Sequence, residues 1–159
     1  MTIHISTEDA VKRYADLVWR IAVLHMGYTA DAGDAFQETF IRYFQHGETF
    51  NDEQHLKSWL IVVCSNICKD MLKKPSRKWV VLSSSHEAYA LDTDSSYEIQ
   101  HMEIIDALRA IPYKHRLALY LCAVEGYSAR EVAQIMHTKE NTVYSWVTRG
   151  REELKEMLQ

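Results

Sequence analysis

Apolar residues recur along this chain at steps of three and four, the period of amphipathic helices, and nowhere sustain the alternation of a strand. Val11, Tyr14, Val18 and Ile21 share one face of a helix predicted from Thr7, its candidate N-cap, to about Met26. Asp9 lies near the positive end of its dipole, and Gly27 closes it. Phe36, Phe40 and Phe44 are expected to face inward from a second helix, which starts at Thr29 or Ala30 and runs to about Gln45 before His46-Gly47 stops it. Glu48 to Glu53 reads as a loop, polar except for Phe50. A third helix is predicted over about Gln54 to Lys74, with Leu56, Leu60, Val63, Ile67 and Met71 as its buried stripe and Pro75 as its stop.

From Pro75 to about Ser96 the periodicity fails. Ser83-Ser84-Ser85 and Asp92-Thr93-Asp94-Ser95-Ser96 are turn-prone, and their side chains compete for backbone hydrogen bonds. Trp79-Val80-Val81-Leu82 is an apolar patch within this linker, suited to packing on a neighbour. Periodicity resumes with Ile99, Met102, Ile105 and Leu108, and Pro112 opens a further helix that is expected to end at Gly126. Two short helices follow. Ser128 and Glu131 fit a capping box, and Val132, Ile135 and Met136 share a face. After a break at His137-Thr138-Lys139, where Thr138 is the candidate cap, Val143, Val147, Leu154 and Leu158 form the next inward stripe. The opposite face carries Thr142, Ser145, Thr148 and Arg149, groups able to reach phosphates and base edges. The pattern is that of a helix-turn-helix; a plain pair of packing helices produces the same stripes.

With 5 Gly and 2 Pro in 159 residues, the fold class expected is all-α: two small helical domains, 1–74 and 99–159, joined by a flexible linker over 75–98. No stretch approaches a membrane span, the N-terminus does not read as a signal peptide, and three cysteines make no disulfide framework. A cytoplasmic protein without membrane insertion is therefore expected. The net charge of −4 complicates the reading of a DNA-binder. Residues 1–74 carry 8 basic and 10 acidic groups, 75–98 carry 2 and 4, and 99–159 carry 8 and 8. No segment offers the basic excess from which unaided duplex binding draws its affinity, so another component must supply it or DNA is not the partner.

Two motifs then occur in order. Asp31-Ala32-Gly33-Asp34-Ala35-Phe36-Gln37-Glu38-Thr39-Phe40-Ile41-Arg42 resembles the signature of region two in bacterial RNA polymerase sigma factors of the extracytoplasmic-function group, and Trp59-Leu60, Asn66, Asp70 and Leu72-Lys73-Lys74 resemble its continuation. Leu108-Arg109-Ala110-Ile111-Pro112, Glu125-Gly126-Tyr127-Ser128, Glu131-Val132-Ala133 and Asn141-Thr142-Val143 resemble region four. The resemblance spans nearly the whole chain.

It implies a sigma factor that joins core RNA polymerase and directs it to promoter DNA. Asp34, Gln37, Glu38 and Arg42 would dock on the polymerase largest subunit; taken alone they could equally be a solvated face. Trp59, Asn66, Lys69 and Lys73, with Phe50 in the preceding loop, would capture the melted −10 strand. Asp70 would orient these groups, and ordinary core filling is the alternative for Trp59. Thr142, Tyr144, Ser145, Thr148, Arg149 and Arg151 would read the −35 element, with Arg130 and Lys139 on phosphates. Relatives usually carry cations where this chain has Tyr144 and Trp146, and an alanine where it has Gly150, a change that costs roughly 1 kcal/mol of helix stability. The family further implies an anti-sigma partner.

Cys64 and Cys68 stand four apart but lack spaced co-ligands, and the eight histidines form no metal motif. Neither a phosphate loop nor an activated nucleophile is present, so no enzyme activity, metal or cofactor is expected. The alternatives to a sigma factor are a stand-alone helix-turn-helix regulator and a degenerate relative that binds polymerase without reading promoters.

Overall fold

The computed structural model describes residues 1–73 and 103–159, which belong to two separate compact units. The linker 75–98, Lys74, Ile99 and Met102 lie outside the described residues.

In the first unit, α1 (Thr7–Met26), α2 (Ala30–His46) and α3 (Glu53–Leu72) pack on one another around Tyr14, Val18, Ile21, Ala32, Ala35, Phe40, Tyr43, Leu56, Leu60 and Ile61. The cap of α1 differs from the expected one. Ser6, not Thr7, accepts the Asp9 N–H, because Thr7 donates both its N–H and its hydroxyl to the Glu48 carboxylate. That pairing joins the start of α1 to the turn after α2, where Gly47 and Glu48 both adopt positive φ, 102° and 63°. A fragment of antiparallel sheet follows from it: β1 (Ile3–His4) pairs with β2 (Thr49–Phe50), with Ile3 opposite Phe50. The segment expected to be loop throughout is therefore partly strand, and two residues are too few for an alternating pattern to announce it. Tyr43 ties the same corner by donating its hydroxyl to the Ile5 carbonyl at 2.7 Å.

Thr29 caps α2, accepting the Ala32 N–H, so the helix starts at Ala30. Its aromatics do not all point inward. Phe36 is half-buried, Phe40 is buried and Phe44 is 66% exposed, while Tyr43 is fully buried. Strict four-residue steps drift off a 3.6-residue period, so the core stripe turns from 40 to 43. On α3, capped by Asp52 through the His55 N–H, Val63 is likewise half-exposed and the stripe is completed by Ile61, Cys64 and Cys68. The two cysteines are buried and free, and no group of three or more metal-ligating side chains occurs among the described residues. None of the described helices is long and apolar enough to cross a membrane.

The second unit contains α4 (helical over 103–109), α5 (Tyr113–Ala123), α6 (Ala129–Ile135) and α7 (Glu140–Met157). Its core holds Ile105, Leu108, Ile111, Leu117, Leu121, Val132, Ile135 and Val143. Helix α5 stops at Ala123 rather than running to Gly126; Gly126, at φ 78°, instead turns the chain, and the Tyr127 N–H bonds back to the Leu121 carbonyl. The Ser128–Glu131 capping box opens α6 with both reciprocal bonds in place. Thr138 does not cap α7. Lys139 holds that position without a side-chain bond, and the Thr138 N–H is used by the Ala133 carbonyl in a turn where His137 has φ 54°. Val143 is buried, Val147 and Leu154 are half-buried, and Leu158 is 57% exposed because α7 is exposed throughout its last turn from Lys155 onward.

Candidate polymerase-docking and nucleic-acid surfaces

Three helix faces carry the candidate residues. On α2, Asp34, Gln37 and Arg42 are exposed and Glu38 is half-exposed, all on the side away from the Ala35–Thr39–Tyr43 core. Arg42 donates from Nε to Glu38 Oε1 at 3.2 Å, an i,i+4 pair that fixes the guanidinium on the surface and, being exposed, adds little stability. Between these polar groups stand two apolar side chains that the sequence reading did not select, Ile41 at 50% exposure and Phe44 at 66%. An exposed isoleucine and phenylalanine bordered by charges have the composition of an interface core with a polar rim. The signal was present as an apolar residue at position 41, on the polar side of the wheel.

The second face belongs to α3. Trp59, Asn66, Lys69 and Lys73 follow one another at steps of seven, three and four and lie on one side, with Asp70 among them. Asn66, Lys69, Asp70 and Lys73 are exposed; Trp59 is half-buried. Its ring abuts three others: Tyr43 at 6.0 Å, His46 at 5.0 Å and Phe50 at 5.6 Å between centroids. Phe50 is only 2% exposed, stacked between Tyr43 (5.6 Å, 17°) and His46 (4.7 Å, 8°), with His55 edge-on at 5.3 Å. Phe50, expected to touch DNA, is thus buried in the unbound chain. Its place opposite Ile3 in the sheet turns the ring into the core, where it supports Trp59 and His46 from beneath. Core filling and surface display are both true of Trp59.

The third face is on α7. Tyr144 (58%), Ser145, Thr148 and Arg149 are exposed, and Thr142 is half-exposed beside them. Tyr144, Ser145, Thr148 and Arg149 line a shallow groove together with Asn141 and Glu152, two groups not selected from sequence. Both have base-edge chemistry: an amide can bond adenine and a carboxylate can accept from the cytosine amino group. Arg130 and Lys139 are exposed on α6 and at the α7 cap. Arg151 is exposed but stands on another side. Two residues beyond Arg149, it is about 200° further round the helix, and its charge acts on the Cys122 thiol of α5, opposing the burial that pushes that thiol up.

Trp146 departs most from expectation. It is half-buried, and the Lys114 ammonium of α5 lies 5.6 Å from its ring centroid. Two turns further along the same flank the helices meet again, with Glu153 Oε1 2.8 Å from His115 Nδ1.

Residues 10–78 match the sigma-70 region 2 family and residues 101–154 match sigma-70 region 4. The chain is 30% identical over 159 aligned positions to the ECF RNA polymerase sigma factor SigE of Mycolicibacterium smegmatis, covering 96% of this chain and 62% of that protein. It is 28% identical over 137 positions to the ECF RNA polymerase sigma factor SigL of Mycobacterium tuberculosis, covering 83% and 77%. Among solved structures it resembles the sigma factor RpoE in complex with the anti-sigma factor NepR from Bartonella quintana, with a TM-score of 0.70, 22% identity and 95% of each chain covered.

Proposed function

This chain belongs to the extracytoplasmic-function group of the sigma-70 family, and we propose that it binds core RNA polymerase and directs initiation at a subset of promoters. The unit built on α1–α3 docks on polymerase through Asp34, Gln37, Glu38 and Arg42 around Ile41 and Phe44, and engages the −10 strand through Trp59, Asn66, Lys69 and Lys73. The unit built on α4–α7 reads the −35 element through Thr142, Tyr144, Ser145, Thr148 and Arg149, with Arg130 and Lys139 on phosphates. A net charge of −4 fits this division of labour, since polymerase supplies electrostatic affinity that the free chain lacks.

The observation that carries the reading is the outward row of α7. A helix presented by a capped α6 turns Asn141, Ser145, Thr148, Arg149 and Glu152 to one shallow groove. A packing helix has no need of that many short and forked polar groups on one face. An anti-sigma protein, as found with the RpoE neighbour, is the regulatory partner proposed here, and the cytoplasm is the proposed compartment.

Run-off transcription with purified core polymerase tests the proposal. New starts at promoters sharing one bipartite motif are expected. Core binding without new starts would instead favour a sequestering role, which the aromatic replacements at 144 and 146 keep in view.

A further inference from the structure

Helix α7 carries three cations, Arg149, Arg151 and Lys155, against four carboxylates, so it has no basic excess of its own. Trp146, half-buried, lies on the same helix. That ring does not stand alone. Lys114, in the first turn of α5, places its ammonium 5.6 Å from the ring centroid. Trp146 has Thr142 four residues before it and Arg149 three after it, so the ammonium sits beside the edge of the reading face. Lys114 is exposed, and Glu153, further along α7, is engaged by His115 at 2.8 Å.

We infer that Lys114, held over the Trp146 ring, is a DNA-phosphate contact that replaces from α5 the positive charge missing from α7. The inference rests on the proposal that α7 reads duplex DNA. An exposed cation–π contact contributes little to folding, so its value lies in where it holds the charge. The ring orients a side chain that would otherwise sample solvent, and an ammonium needs no bidentate geometry to bind a phosphate oxygen. A phosphate contact positions the helix without reading sequence.

The test is promoter binding by the reconstituted holoenzyme across a salt series, on matched and mismatched −35 sequences. Lys114→Ala should weaken all sequences alike and flatten the slope of log affinity against log salt by about 0.9, the contribution of one phosphate. Lys114→Arg should keep the slope, and Trp146→Arg in the Lys114→Ala background should restore it. Arg149→Ala is the control for the underlying reading. If Arg149→Ala loses −35 discrimination while Lys114→Ala leaves the slope unchanged, Lys114 is not a phosphate contact. If neither variant has an effect, α7 is not in the groove and both ideas fall. Unchanged far-UV dichroism and melting for Lys114→Ala would separate either result from misfolding.

Discussion

Gly150 of α7 lies against the backbone carbonyl of His115 in α5: a Cβ at position 150 would stand 3.2 Å from that oxygen and 3.4 Å from Leu119 Cβ. The residue looked from sequence like a weakness in the recognition helix, worth roughly 1 kcal/mol of propensity. In the structure it is buried at a close approach of two helices. Gly150→Ala should therefore leave the second unit's stability within about 1 kcal/mol of the parent, because the propensity gained is offset by the few tenths of an ångström that the carbonyl must yield. Gly150→Val should cost about 1–3 kcal/mol, since two further methyls have nowhere to go. Hydrogen exchange at the amides of α5 and α7 in denaturant measures both; a tolerated valine would mean the helices do not meet there.

Phe50 gives the corresponding test in the first unit. Buried between Tyr43 and His46, it should behave as core, with Phe50→Ala destabilising that unit by about 3–5 kcal/mol. Phe50→Leu should retain most of the stability and most of the promoter opening. A leucine variant that folds normally and no longer opens promoters would return Phe50 to the DNA surface.

How far the sequence foretold these surfaces depended on the kind of signal each residue carried. Repeated apolar steps located the helices, and Ser128 with Glu131 announced the start of α6, because periodicity and capping are local. Phe44 falls off the core because four-residue steps extended past two turns leave the buried face, and Leu158 because the last turn of α7 packs on nothing among the described residues. The β1–β2 pairing joins residues more than forty positions apart through two residues on each side, and Glu48 meets Thr7 across the same gap. No window of sequence contains either. Trp146 was read as a loss of charge because its neighbour, Lys114, comes from another helix. What a helix face touches is set by packing; its own sequence gives only the face.

The pH response of the first unit follows from Tyr14, Tyr43, Glu48 and Glu53. Burial pushes both tyrosine hydroxyls up from 10 to about 12, with the Glu53 carboxylate adding to the effect at Tyr14 and Glu48 at Tyr43. A folded value above the unfolded one means stability present below pH 10 and lost as pH rises toward 12. Glu48 is held below the ordinary carboxylate range by hydrogen bonds from Thr7, and Glu53 by the bond from Tyr14. Their contribution is present above that range and lost as pH falls through the lowered values. Ultraviolet absorbance should show two of the tyrosines titrating late and together with the loss of helix dichroism. Tyr14→Phe should bring Glu53 back toward its ordinary value and move acid unfolding to higher pH; an unchanged acid limb would remove the Tyr14–Glu53 bond from the account.

On α2, the apolar pair should matter more to polymerase binding than the charges around it. Phe44→Ala and Ile41→Ala should each weaken core binding by about 1–2 kcal/mol, as truncations at an interface centre do, while the exposed Arg42–Glu38 pair contributes less. Stability should be unaffected, because neither side chain is buried in the free protein. Competition binding against a labelled parent chain reads the difference, and a larger loss for Arg42→Ala than for Phe44→Ala would move the centre of the docking face.

The two arginines flanking Gly150 provide the sharpest separation of roles within α7. Arg149 lies on the groove with Ser145, Thr148 and Glu152, whereas Arg151 lies toward Cys122 of α5. A forked guanidinium on the reading face can bond two guanine acceptors at once, so Arg149→Ala should cost about 1–3 kcal/mol of discrimination at one −35 base pair. Arg151→Ala should change affinity no more than a distant charge does and should leave the preferred sequence intact. Glu152→Gln tests the same face from the other side. If the carboxylate accepts from a cytosine amino group, the amide loses that preference and gains affinity for adenine. Selecting preferred −35 sequences from a randomised promoter pool with the three variants measures all of this together. A change in preference with Arg151→Ala but not with Arg149→Ala would rotate the helix in the groove by nearly half a turn.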